Sequence, residues 1–458
     1  MFTPHLPAGY HISKLLPIID DRKKVINYLI DNGIPQPKSK NDKGFKDRLL
    51  CDRWWRRTLD KLQSRLDESK LIELGRVAKH KEKYSSNLTV YRVGKKAIKA
   101  YEYIQNQSMI SDAGDIVDMA TIVQSSIANP TNRRAELMIR MAGFEAYAQQ
   151  HGYVGEFYTL TCPSRYHRFS GVKLNDKYQE LTPKDAQQYL VKQWSKIRAA
   201  YGRLDIKPFG FRVSEPHGDG CPHWHMLLFV KADKRNALRE IFSQYALEVD
   251  GHEPGADKHR FKCVEIDSEA GTATGYIAKY ISKNLGFSID DPEHDTNELS
   301  RSYGQRVKAW ASVWGIRQFQ QIGGAPVTVW RQLRKLRDSL DDELLEAARQ
   351  AADESRWADY LEIMGGVDAK RIEQTITLVK KHLVDKETGE IKQNAYFEYI
   401  TMIFGVASIA AEAITRTKSW AMVSTKLATS MLSKSAAYGG SFSSRSPVNN
   451  CTGQLLAL

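Results

Sequence analysis

Residues 1–110 carry apolar positions at helical spacing in a basic background, which predicts a mostly helical N-terminal region. Residues 111–150 continue helically, interrupted at Asn129-Pro130, and Arg133 to Ala148 repeats its apolar residues at intervals of three and four. From Glu156 the pattern changes. Phe157-Tyr158-Thr159-Leu160-Thr161 is aromatic and β-branched, so it reads as a strand that stops at Pro163. Thr182 caps a helix that has Pro183 in its first turn and runs to about Tyr201. Phe209 to Glu215 and His223 to Val230 read as strands joined through the Gly218-Asp219-Gly220 turn, a β-hairpin. A helix over Asp233 to Val249, a short strand near Phe261–Ile266 and a helix over Gly271 to Asn284 follow, the last closed by Asn284-Leu285-Gly286. The order strand, helix, hairpin, helix, strand, helix predicts an α+β domain, a central, mainly antiparallel sheet with flanking helices.

Beyond that domain the pattern is governed by charge. Between Leu299 and Asp338 there is no acidic residue, and Arg301, Arg306, Lys308, Arg317, Arg331, Arg334, Lys335 and Arg337 are interleaved there with Tyr303, Trp310, Trp314, Phe319 and Trp330. Cations can track a phosphate backbone and aromatic faces can stack on unpaired bases, so a DNA-binding extension is expected. The plainer alternative is a core of Trp with a solvated Arg rim. Asp338 to Glu362 reverses sign and reads as a solvated acidic helix facing away from DNA. Residues 370–430 read as a small mixed subdomain with a turn at Lys386-Glu387-Thr388-Gly389, and the Ser-, Gly- and Asn-rich tail from Ser433 as flexible. The expected segments are 1–110, 111–150, 151–337 as the α+β domain with its basic, aromatic extension, 338–432 and 433–458.

At 458 residues the chain exceeds one ordinary core, and its net charge of +13 favours a polyanionic partner, nucleic acid first. Cys51, Cys162, Cys221, Cys263 and Cys451 are odd in number and show no paired spacing, which speaks against a disulfide framework and for a reducing cytoplasm. Met1 to Tyr10 lacks the pattern of a secretory signal, and the apolar run Tyr399 to Ala411 is too short to span a bilayer, so no membrane role is expected.

The candidate chemistry lies in Pro222-His223-Trp224-His225 and Tyr276-Ile277-Ala278-Lys279-Tyr280. On a strand His223 and His225 point to one face, a ready pair of metal ligands. The hairpin turn brings Glu215 back beside them, and a carboxylate with two imidazoles suits Mg²⁺ or Mn²⁺ in phosphoryl chemistry. Ordinary hydrogen-bonded histidines are one alternative. Another is structural zinc on His217, Cys221, His223 and His225. On a helix Tyr276 and Tyr280 stand side by side, and Lys279 and Lys283 add positive charge that favours phenolate. Attack by one tyrosine would leave a 5′-phosphotyrosyl link and a free 3′-OH, and the second could cut again while the first holds its end.

These motifs resemble the HUH endonucleases, named for a His-hydrophobic-His strand. Phe157 to Thr161 looks like their first motif, His223-Trp224-His225 like the second and Tyr276 to Tyr280 like the third. More narrowly, Asn129-Pro130 with Arg134 to Met138, Glu215-Pro216-His217, Pro222 to His225, Gly275 to Asn284 and Ala309-Trp310-Ala311-Ser312 resemble the replication gene A proteins of temperate tailed phages of the peduovirus type. The resemblance implies a site-specific single-strand endonuclease that starts rolling-circle replication at a phage origin in the bacterial cytoplasm. It implies His223 and His225 as metal ligands and Tyr276 and Tyr280 as nucleophiles. Glu215 as third ligand follows from the hairpin and from the polar third ligand common in the superfamily. Plasmid initiators, relaxases and single-strand transposases share this chemistry, and a zinc-stabilised, non-catalytic DNA-binding module is the rival of another class. Single-stranded origin DNA is the expected partner. Without a Gly-rich Lys-Ser/Thr phosphate loop no nucleotide cofactor is expected, so a host helicase and polymerase would be borrowed.

Overall fold

The computed structural model describes residues 6–266, 272–286, 298–385 and 388–437. The chain forms two compact units, Met1–Leu74 with Val379–Phe404, and Gly75–Leu378 with Gly405–Leu458.

In the first unit, helices Ala8–Leu15, Arg22–Asp31, Asp42–Leu50 and Asp52–Glu73 enclose Leu15, Val25, Leu29, Phe45, Leu49 and Trp55. Asp21 and Asn41 start the second and third of these by accepting from backbone amides. Trp55 is buried and donates to the Leu49 carbonyl at 2.6 Å, whereas Arg56 stays outside, paired with Asp52 at 2.7 Å. Glu398, on the returning segment, accepts from Arg48 at 2.8 Å and from the Lys40 amide at 2.9 Å.

The second unit carries the sheet. Its sheet-bearing elements, in chain order, are α1 (Pro130–Gln150), β1 (Tyr153–Leu160), α2 (Pro183–Arg203), β2 (Phe209–Pro216), β3 (Pro222–Lys231), α3 (Arg235–Leu247), β4 (Phe261–Glu265), α4 (Ala273–Leu285), α5 (Glu298–Trp314), β5 (Phe319–Ile322), α6 (Val327–Leu333), α7 (Glu343–Asp353) and α8 (Trp357–Ile363). The strand order is β4-β1-β3-β2-β5, and every neighbouring pair is antiparallel. Helices cover both faces, so the unit is mixed α and β with an antiparallel sheet, as the element order predicts. β5 was not expected: its four residues lie inside the acid-free segment and pair with β2.

Strand β3 sits at the centre, which explains its nearly unbroken apolar run. Leu227 and Phe229 join Phe157, Phe211 and Val213 against α1 and α4. Trp224, Met226, Leu228 and Val230 face the other way, against Leu190, Trp194 and Ile197 of α2 and Leu238 and Phe242 of α3. His223 and His225 share the parity of Leu227, so the pleat puts them on the α4 side.

Local signals set the helices that matter. Asn129 accepts from the Thr131 amide at 3.0 Å and Pro130 opens α1. Thr182 and Asp185 form a capping box at α2. Thr272 accepts from the Gly275 amide at 3.0 Å to start α4, and Gly286, at φ 86°, ends it in the left-handed conformation. Gly304 of α5 packs so closely there that a Cβ on it would stand 2.3 Å from Gly286 Cα.

The acidic run differs from expectation. It is not one solvated helix but α7 and α8, with Leu345, Ala348, Ala351, Trp357, Tyr360 and Leu361 buried in the core around α1. Its small apolar residues recur at helical spacing beneath the charges, and Arg349 pairs with Glu346 at 2.6 Å and Asp353 at 2.7 Å. Trp420–Ser424 pairs with Gln107–Ser111, a long-range contact with no sign in the local pattern. A helix, Thr425–Ala437, covers the start of the expected flexible tail; residues 438–458 and the Lys386-Glu387 half of the expected turn lie outside the described residues. No described helix is long and apolar enough to cross a membrane.

Candidate active site

The β2–β3 register sets Glu215 directly opposite His223, while His225 pairs with Val213 on one side and Thr159 of β1 on the other. The two imidazole Nε2 atoms are 2.9 Å apart, and Glu215 Oε2 lies 3.7 Å from His225 Nε2 and 4.0 Å from His223 Nε2. Thr159 Oγ1, 3.0 Å from His225 Nδ1, fixes that ring and leaves its Nε2 turned toward the other two groups. Among the described residues this is the one cluster of His, Cys, Asp and Glu side chains able to hold an ion. Cys221 does not join it: the thiol is buried in the α2 side of the core near the Pro222 carbonyl, which removes the four-ligand zinc alternative.

Electrostatics suits a cation. Burial holds His223 well below the usual imidazole range and pushes His225 down to about 3, with Lys283 adding repulsion, so both rings stay neutral. Burial raises Glu215, and Lys283 and Asn284 counter it from the last turn of α4; Lys283 Nζ is 3.2 Å from Oε2, and Asn284 donates to Oε1. A buried carboxylate and two neutral imidazoles aimed at one point fit a divalent ion.

Helix α4 brings the tyrosines to this cluster. Ile277 and Ile281 are buried and seat the helix on the sheet, so Tyr276 and Tyr280 lie along its flank. The Tyr280 ring is 4.0 Å from the His225 ring and stacks on Phe157 at 5.1 Å. Tyr276 is 6.2 Å from Phe157 and 42% exposed. Burial and the Glu215 charge raise the Tyr280 phenol, partly offset by Lys283. Lys279 points to solvent from the same helix. The N-terminus of α4 is held by Glu145 of α1, which accepts from the amides of Ala273 at 2.7 Å and Thr274 at 2.9 Å and from the Thr274 hydroxyl at 2.5 Å.

Residues 27–288, which include every member of this cluster, match the bacteriophage replication gene A protein family. The chain belongs to that family. It is 40% identical over 76% of its length to the probable replication protein P12 of Pseudoalteromonas phage PM2, covering 55% of that protein. It is 39% identical over 89% of its length to the replication gene A protein of Escherichia phage 186, covering 59% of it. A further relative, 32% identical over 83% of the chain and matched over 49% of its own length, is a probable replication endonuclease from a prophage-like region of Escherichia coli O6:H1. The chain thus spans about half the length of the curated relatives it matches. No solved structure matches it.

For this replication gene A family member, the DNA-contact residues expected from the acid-free segment divide. Trp310 and Trp314 are 0% and 2% exposed, so neither offers a face to a base. Trp310 instead donates to the Gly220 carbonyl at 2.8 Å and pins the hairpin turn that leads into His223. Arg334 is buried and donates to the Ala352 carbonyl at 2.6 Å, and Arg331 grips Glu136 through two bonds of 2.7 Å. Arg306 donates to the Ser85 carbonyl at 2.8 Å and to Asn87. Lys283 reaches Glu215. Lys308 and Arg317 remain at the surface. Other elements supply acceptors to these cations, a carboxylate for Arg331 and backbone or amide oxygens for Arg334 and Arg306, which the linear charge pattern could not reveal. Thr159, Asn284 and Glu145 went unnoticed as contributors: Thr159 read as strand, Asn284 as a helix-end signal, and Glu145 as one polar residue on an amphipathic helix.

Proposed function

We propose that the chain is a metal-dependent single-strand DNA endonuclease and strand-joining enzyme that initiates rolling-circle phage replication through tyrosine attack. The observation that carries this is the packing of Tyr280, with Tyr276 one turn away, against the ring of one of two converging histidines. Family membership and the printed names of its relatives, replication protein and replication endonuclease, support the same reading.

Glu215, His223 and His225 would hold Mg²⁺ or Mn²⁺, which when bound neutralises the non-bridging phosphate oxygens and orients the phosphorus. Thr159, Lys283 and Asn284 keep the ligands in place, and the exposed Lys279 supplies positive charge beside the phenols. One tyrosine oxygen forms a bond to phosphorus while the bond to the 3′ oxygen breaks; the phenol proton leaves to solvent and the 3′ oxygen takes up a proton. The new ester conserves the phosphodiester energy, so the reverse attack by a 3′-OH reseals the strand without ATP. A second tyrosine lets a second junction be cut while the first end is still held.

The test is a pool of 5′- and 3′-labelled single-stranded DNA incubated with the protein and Mn²⁺, then denatured. A covalent adduct on the 5′-phosphate side, abolished by chelator and by His223→Ala, is expected. Cleavage that leaves free ends and no adduct would refute the tyrosine mechanism.

A further inference from the structure

A cavity of about 400 Å³ opens against the histidine pair. Its walls include Thr161, Ser164, Glu253, His259 and Lys262 together with His223 and His225, and among the described residues none comes from α4. The volume falls in the roughly 300–1,000 Å³ range of small-ligand pockets. The wall is largely apolar with polar groups set into it: Thr161 Oγ1 donates to the His259 carbonyl at 2.8 Å, and Ser164 donates to Glu253, which Lys177 also approaches at 3.2 Å.

Unmet hydrogen-bonding capacity gathers around this space. His217 Nε2, His223 Nδ1 and Arg260 Nε are buried without a hydrogen-bond partner, and all three residues line the cavity. Arg260 is held in place by bonds of 3.0 Å to the Val249 carbonyl and 2.7 Å to the Tyr189 hydroxyl, so it does not swing away to satisfy itself. Buried polar groups are normally paired, so three orphaned atoms on residues of one cavity lining single this space out.

The direction of the chemistry then assigns the ligand. In a phosphoryl transfer the entering and leaving oxygens are roughly in line through phosphorus. With tyrosines on α4 as the entering groups, the leaving 3′ oxygen departs on the side away from that helix. Resting on the function proposed above, we infer that this cavity receives the nucleotide on the 3′-hydroxyl side of the scissile phosphate, with its base read by Thr161, Ser164, Glu253 and His259. A base drawn out of its stack into a largely apolar pocket packs by its face and is recognised at its edge by the few polar groups there, so this cavity is where sequence preference upstream of the nick arises.

The experiment first maps the nick in a single-stranded oligonucleotide selected from a random pool by adduct formation. Abasic sites are then placed singly on either side of it. Loss of the base on the 3′-hydroxyl side is expected to lower adduct yield by about tenfold or more, given the usual contribution of a held base, while loss on the 5′-phosphate side leaves it near the intact value. Thr161→Trp, which fills the cavity, is expected to lower adduct yield with the intact oligonucleotide by a similar factor and to bring the ratio of intact to abasic yield close to one; a ratio as large as that of the unaltered protein overturns the cavity assignment. Indifference of the unaltered protein to the upstream base overturns the cavity assignment but leaves the nuclease reading standing. Absence of any adduct in the random pool overturns both.

Discussion

At the scale of single residues, the site depends on side chains that hold other side chains. The Thr159 hydroxyl stands 3.0 Å from the outer nitrogen of His225 and decides which ring nitrogen faces the cluster. Thr159→Val keeps the shape and the β-branch but removes the oxygen, and it should weaken Mn²⁺ binding by about 10–100-fold by calorimetry without changing the fold. Asp219 does comparable work in the hairpin turn, accepting from the Cys221 amide at 3.1 Å and standing 3.2 Å from His167 Nδ1. Burial alone would raise its carboxyl, but His167, His217 and the Cys221 amide bring it down to about 2. Because the folded value lies below the unfolded one near 3.9, the folded chain gives up this proton more readily. Asp219 therefore contributes stability above about pH 4, on the order of 2 kcal/mol, and loses it as pH falls through about 2. Asp219→Asn should flatten the acid limb of the unfolding curve in that window; an unchanged limb would count against the His167 contact. These roles were not legible in the sequence, because a threonine on a strand and an aspartate in a turn have sufficient local reasons to be there.

At the scale of elements, the site is a hairpin meeting a helix, and both ends of that helix are held by other elements. Asn284 and Lys283 fasten the end of α4 to Glu215, and Glu145 of α1 fastens its beginning. A carboxylate at a helix N-terminus satisfies open amides and complements the dipole, and losing such a cap costs about 1 kcal/mol. Glu145→Ala should slow adduct formation by about 10–100-fold through misplacement of the tyrosines while leaving single-stranded DNA affinity intact. Glu145→Gln, which keeps one acceptor oxygen, should recover part of the rate; equal loss of binding and rate in both variants would mean simple unfolding. Most of this framework was readable beforehand. The β1, β2 and β3 strands, the α2 cap and the α4 end signal carry strong local chemistry, and the hairpin alone placed Glu215 beside the histidines. What failed to read was α7, whose buried Ala348, Ala351 and Ala352 are hidden among carboxylates, and the expected stacking role of Trp310 and Trp314, which alternate with arginines only in sequence.

At the scale of the molecule, a net charge of +13 favours a polyanionic partner for a chain whose second unit concentrates two histidines, a buried carboxylate and two helix-borne phenols on one face of the central strands of an antiparallel sheet. The chain belongs to the bacteriophage replication gene A protein family, and the proposed mechanism adds a route by which a strand would be opened and kept in hand. The most direct measurement is mass-spectrometric mapping of the residue linked to DNA after reaction with single-stranded DNA and Mn²⁺, on the unaltered protein and on Tyr276→Phe, Tyr280→Phe and the double variant. The account predicts a phosphotyrosyl link at Tyr276 or Tyr280, reduced in each single variant and absent from the double. A link on any other residue, or an undiminished yield in the double variant, would contradict it.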